Sequence, residues 1–80
     1  MNTLPICGIY KITSPSGRIY IGQAIHIYLR WNRYKKYRCN GQILLYNSLK
    51  KYGWENHIFE ILCECHPNQL NELEKYYIYL

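Results

Sequence analysis

Apolar residues along the chain follow two different periods. Cys7 to Thr13 and Arg18 to Gly22 are rich in β-branched and aromatic residues, the composition of strands. Between them lies Ser14-Pro15-Ser16-Gly17. Proline suits the second position of a type I turn and glycine the left-handed position after it, which together make a three-residue hairpin loop closed by a glycine bulge. That loop sets the register: Ser14 faces Arg18, Ile12 faces Tyr20 and Tyr10 faces Gly22. Tyr10 and Tyr20 then share a face as diagonal neighbours, roughly 7–8 Å apart. The opposite face carries Cys7, Ile9, Ile19 and Ile21 and is the expected core.

Helical spacing follows. Ile27 to Arg38 predicts a helix, with Ile27, Tyr28, Trp31 and Tyr34 on its apolar side. A second helix is expected from Gln42 to Tyr52, presenting Ile43, Leu44, Tyr46 and Leu49, with Gly53 as its C-terminal cap. His57 to Cys63 is almost continuously apolar and reads as a third strand buried on both faces. From near Asn68 to the chain end, Leu70, Leu73, Tyr77 and Leu80 form a helical stripe. Glu74 falls roughly 80° from the centre of that stripe, on the shoulder of the buried face. The pattern stops in mid-helix at Tyr79-Leu80, as in a domain cut from a longer protein or finished by a partner.

Composition narrows the chemistry. Eighty residues allow one domain, burying only about 60–65% of its unfolded surface. A hydrophobic fraction of 49% excludes a disordered tail, and no apolar run is long enough for a membrane span. Met1 to Ile6 lacks the features of a signal peptide, so a cytoplasmic setting is expected. The net charge of +5 favours a polyanionic partner. Every acid is a Glu, so designs built on paired aspartates cannot be assembled here. Cys7, Cys39, Cys63 and Cys65 do not form a disulfide framework. Cys63, Cys65 and His66 lack the usual two-residue gap of a zinc site, which favours thiols buried at a strand end.

Gly8-Ile9-Tyr10, nine residues, then Tyr20-Ile21-Gly22 resembles the paired signature of the GIY-YIG nuclease superfamily. Leu29-Arg30-Trp31 resembles the segment around the family's arginine. Leu45 to Gly53 is similar to its second helix, Phe59-Glu60-Ile61-Leu62 to its third strand, and Glu74 to its metal-binding glutamate. The resemblance covers nearly all of residues 1–80, and its style is closest to phage and intron homing endonucleases. It implies an α+β domain: a small three-stranded antiparallel sheet flanked by helices in the order β-β-α-α-β-α. It also implies hydrolysis of a DNA phosphodiester with one divalent cation, Mg²⁺, for which Mn²⁺ substitutes. In that reading Tyr10 activates or orients the attacking water, Tyr20 holds the phosphate or assists, and Arg30 steadies the charged transition state. Tyr34 stands where a histidine or tyrosine is common, and Glu74 binds the metal. Asn40 falls where some members carry a histidine, and the family usually places an asparagine beyond Leu80. Specificity would come from a separate DNA-binding domain, in a phage, bacterial or mobile-element context.

The chemistry is coherent with the residue types. A guanidinium matches phosphate with two parallel donors. Magnesium takes one or two carboxylates and fills its octahedron with water and phosphate oxygens, so one Glu74 suffices. A free phenol titrates near 10, so Tyr10 is a base only if its pKa is lowered; otherwise it acts by orientation. Arg18, Arg33, Lys35, Lys36 and Arg38 are assigned to sequence-independent attraction of the DNA backbone. In isolation, Tyr10 and Tyr20 would be ordinary strand tyrosines and Glu74 a solvated helix residue. The alternative from a different class is a DNA-binding module that keeps the fold and does not cut. A single site cuts one strand per binding event, so a double-strand break would need a homodimer, a second domain or rebinding.

Overall fold

The computed structural model describes residues 5–39 and 41–79. In chain order the elements are β1 (Gly8–Thr13), β2 (Ile19–Ala24), α1 (Ile27–Lys35), α2 (Ile43–Tyr52), β3 (Ile58–Glu64) and α3 (Leu70–Ile78). Single 3-10 turns at Trp54–Asn56 and Pro67–Gln69 lead into β3 and α3. The strands form one antiparallel sheet in the order β2-β1-β3, giving the expected α+β architecture and element succession.

The hairpin forms as its turn chemistry dictates. Gly17 takes φ 89°, its N–H donates to the Ser14 carbonyl at 2.9 Å, and the Ser14 N–H donates to Arg18 at 2.9 Å. Tyr10 therefore pairs with Gly22 and Ile12 with Tyr20.

The core lies on the tyrosine face, which reverses the expectation. Tyr10 and Ile12 pack with Ile27, Trp31 and Tyr34 of α1 and with Leu45 and Leu49 of α2. Two helices cover this face, and the buried phenols satisfy one another, so their burial carries little penalty. The other face receives α3 alone: Gln23, opposite Ile9, bonds to Asn71 and Glu74. Ile9 is buried there, but Ile19 is 55% exposed. Nor is β3 buried on both faces. It is an edge strand, with Ile58 exposed and Phe59 and Ile61 turned to the core. A bulge leaves Leu62 unpaired, because Ile9 pairs with Cys63 while Tyr10 pairs with Ile61.

Helix limits and phases also differ from the pattern. α1 stops at Lys35, not Arg38, in a Schellman turn: Arg38 N–H to Arg33 carbonyl and Tyr37 N–H to Tyr34 carbonyl, both 2.9 Å. Tyr37 takes the left-handed position at φ 58°, where glycine is usual. α2 buries Leu45 and Leu49 and exposes Ile43 and Leu44, so its inner face is rotated from the one expected. α3 begins at Leu70 because the Pro67–Gln69 turn, capped by His66, precedes it. Leu70 is buried as the stripe requires, Leu73 and Tyr77 are half-buried, and Leu80 and Asn40 lie outside the described residues. The described cysteines are free, and among the described residues no group of three His, Cys, Asp or Glu could hold a metal ion. No described helix is long and apolar enough to cross a membrane.

Candidate active site

Tyr10 sits on the central strand and is 2% exposed, its ring edge-on to Trp31 at 6.0 Å between centroids. Its hydroxyl is hydrogen-bonded to the hydroxyl of Tyr34, 2.5 Å away. The Gln42 amide nitrogen, at the entry to α2, donates to the Tyr34 oxygen at 3.2 Å. The phenol has room because of what faces it. A Cβ on Gly22 would fall 2.4 Å from Tyr10 Cζ. A Cβ on Gly8 would fall 2.0 Å from the Cys63 carbonyl oxygen, beside the bulge. Both glycines thus serve close approach, one of a side chain and one of backbone.

Arg30 comes from α1. His26 caps that helix, its Nδ1 accepting from the Leu29 N–H at 3.2 Å, and the Arg30 N–H donates to the His26 carbonyl at 3.1 Å. Residues four apart lie on one helix face, which aligns Arg30 with Tyr34. Burial disfavours the guanidinium charge, but hydrogen bonding with Tyr34 and the charge interaction with Tyr10 more than offset it and hold the pKa above its usual value. For Tyr10 the balance is opposite: burial, reinforced by Tyr34, pushes the phenol well above 10.0 against the pull of Arg30. Arg30, Arg33, Tyr34, Arg38 and Gln42 line a cavity of about 270 Å³. Arg38 joins it because the Schellman turn folds the chain back at the end of α1. No acid is among the lining residues, so the cavity suits an anion.

The remaining candidates lie apart from this cluster. Tyr20 shares the face of Tyr10, but its hydroxyl donates to the Leu44 carbonyl at 3.3 Å. It lines a neighbouring, mainly apolar groove of about 830 Å³ with Ile43, Leu44 and Tyr77, and Gln42 lines both this groove and the arginine cavity. Glu74 projects from α3 on the opposite face of the sheet, where the Gln23 amide nitrogen donates to its Oε1 at 3.0 Å. Among the described residues, no hydrogen bond or ion pair links Glu74 to Tyr10, Arg30 or Tyr34. The two halves nevertheless meet on β2, the other edge strand, since Gly22 lies under the phenol and Gln23 holds the carboxylate. Lys35 lies over the Trp54 ring at 4.7 Å, Lys36 is exposed, and Arg18 closes the hairpin far along the strands. Gln23 and Gln42 escaped the sequence reading. Neither carries charge or periodic spacing, and only the docking of helices on strands gives them partners.

The family model of the GIY-YIG catalytic domain matches residues 6–80. The chain belongs to the GIY-YIG family. No curated protein and no solved structure matches it. Membership makes it a nuclease-type catalytic domain. In this GIY-YIG domain the last residue of one signature tripeptide, Tyr10, is seated over the last residue of the other, Gly22.

The family implies a divalent cation, and the donor chemistry at Glu74 fits one. The carboxylate is half-buried, one oxygen is held by Gln23, and Oε2 has no protein partner among the described residues. Asn71 Oδ1 shares the same Gln23 nitrogen at 2.9 Å. These are hard oxygen donors of the kind magnesium takes when water completes its shell.

Proposed function

We propose that this GIY-YIG domain is a divalent-metal-dependent DNA endonuclease domain of homing-endonuclease style, hydrolysing phosphodiester bonds. The observation that carries the reading is the Arg30 guanidinium beside the buried Tyr10–Tyr34 pair, in the wall of a cavity that Arg33 and Arg38 also line. Arg30 would take the scissile phosphate through its planar fork of donors, and the exposed Arg33 and Arg38 would add charge at the mouth of the cavity. Tyr10 stays protonated at neutral pH because burial raises its pKa, so it orients and donates instead of removing a proton. Tyr34 and Gln42 fix the direction of that phenol. Glu74 would hold Mg²⁺, or Mn²⁺ in its place. Bound there, the cation supplies Lewis acidity and a more acidic water. Tyr20 would contact the phosphate chain from the neighbouring groove. On this reading DNA is the partner, a separate domain supplies sequence preference, a second cut would need a homodimer, a second domain or rebinding, and the expected setting is cytoplasmic.

The test is nicking of supercoiled plasmid with and without Mg²⁺. Arg30→Ala and Glu74→Gln should each lower the rate by about a hundredfold or more while remaining folded. Robust magnesium-dependent cleavage in either variant contradicts the reading. A second reading, a DNA-binding module that does not cut, draws on the placement of Glu74 across the sheet from the phenols. DNA binding with no nicking under any divalent cation would establish that alternative.

A further inference from the structure

Among the described residues, Gln23 makes the one side-chain hydrogen bond between β2 and the Glu74 carboxylate of α3. Its amide nitrogen has two hydrogens and two acceptors within reach, Asn71 Oδ1 at 2.9 Å and Glu74 Oε1 at 3.0 Å. That nitrogen is therefore saturated, and its geometry removes rotational freedom from both α3 side chains. Glu74 without Gln23 would be a long flexible chain on a half-solvated helix face, losing rotamer entropy whenever it bound anything. With Gln23 donating to Oε1, the other oxygen is left for a ligand. The strand supplies the rest of the logic: Gln23 follows Gly22, whose bare α-carbon lies under the Tyr10 phenol. One dipeptide thus fixes the position of the phenol on one face and of the carboxylate on the other.

We propose that Gln23 is the positioning residue of Glu74, orienting its carboxylate to receive a divalent cation at the β2 edge, with Asn71 locking the amide in place. The inference rests on the metal-binding reading of Glu74. It adds that metal affinity is set by a neutral amide that never touches the cation. Partners that orient a ligating group typically change metal affinity or activity by about 10–100-fold when removed.

The probe is Mn²⁺ alone, titrated into the protein without DNA and followed by electron paramagnetic resonance and calorimetry. Gln23→Met keeps the length of the side chain and loses the donor. It should weaken Mn²⁺ binding by about 10–100-fold with an unchanged circular dichroism spectrum. Gln23→Asn keeps an amide but shortens its reach by about one carbon–carbon bond, roughly 1.5 Å. It should give a similar loss, which shields the test against a fold defect peculiar to the methionine variant. In a Glu74→Gln background, Gln23→Met should have no further effect, because the two residues act as one unit. Mn²⁺ affinity reduced less than threefold in both Gln23 variants, with Glu74→Gln still deficient, overturns the positioning role and leaves the metal reading intact. Unaltered Mn²⁺ affinity in Glu74→Gln overturns both. A full additional loss from Gln23→Met in the Glu74→Gln background shows a general structural effect and also overturns the positioning role.

Discussion

The phenol at position 10 owes its chemistry to burial and to one partner. The Tyr10–Tyr34 hydrogen bond is made between residues 24 apart, where no solvent competes. Tyr10→Phe should cost about 1–3 kcal/mol in denaturant unfolding, since Tyr34 is left with a weaker set of contacts. The sign of its pH dependence follows from the raised pKa. Below the ordinary value of 10.0 both folded and unfolded forms keep the proton, so this group's contribution is fully present. Above it the unfolded chain ionises first, and stability falls by about 1.4 kcal/mol for each pH unit. Comparing unfolding of the wild type and Tyr10→Phe at about pH 8 and about pH 11 isolates this alkaline loss, which the variant should lack. Gly22→Ala should be worse than an ordinary strand substitution, because the new methyl meets a phenol that Trp31 and Tyr34 hold in place. A loss of about 1–3 kcal/mol is expected, together with loss of nicking. The pairing of Tyr10 with Gly22 was legible because Pro15 and Gly17 determine a single register. The Tyr10–Tyr34 bond was not, since nothing local specifies how α1 sits on the sheet.

Among the elements, α1 carries the most consequence for the site. Its N-terminus is capped by His26, and Arg30 lies one turn inside, so fraying there would release the guanidinium. His26→Ala should cost about 0.5–2 kcal/mol, measured by thermal unfolding, and should weaken DNA binding more than an equal loss elsewhere. The C-terminal end shows where pattern reading fails. Arg38 reads as helical because Tyr37 looks like an ordinary helix residue, yet Tyr37 takes the left-handed position that glycine normally fills. The backbone closes a Schellman turn regardless, and that departure is what brings Arg38 to the cavity. The core face of β1 also differs from the one its pattern suggests, for a different reason. Isoleucines outrank tyrosines on hydrophobicity alone, but a tyrosine face whose hydroxyls pair with each other can be buried more cheaply than its composition suggests.

At the scale of the whole molecule, ten basic residues against five acids give +5, and the arginines of α1 and its closing turn gather around one cavity. DNA affinity should fall linearly with the logarithm of salt concentration, as counterions are displaced by phosphate contacts. Arg33→Ala and Arg38→Ala should each lower the slope by about one, whereas Arg18→Ala, at the far hairpin, should change it less. Fluorescence anisotropy across a salt series measures both. The succession of strands and helices was readable from turn residues and periodicity, and the antiparallel sheet from the resemblance of the paired tripeptides to the family. The layering was not, because three amphipathic helices can be placed on two sheet faces in more than one way. On the proposed function, the fork-shaped guanidinium of Arg30 beside the buried phenols stabilises the reacting phosphate. Arg30→Lys keeps the charge and removes the fork, so single-turnover nicking at saturating protein and Mg²⁺ measures that geometry directly. A rate about a hundredfold or more below wild type, with DNA affinity nearly unchanged, is the predicted result. A rate within threefold of wild type would contradict it.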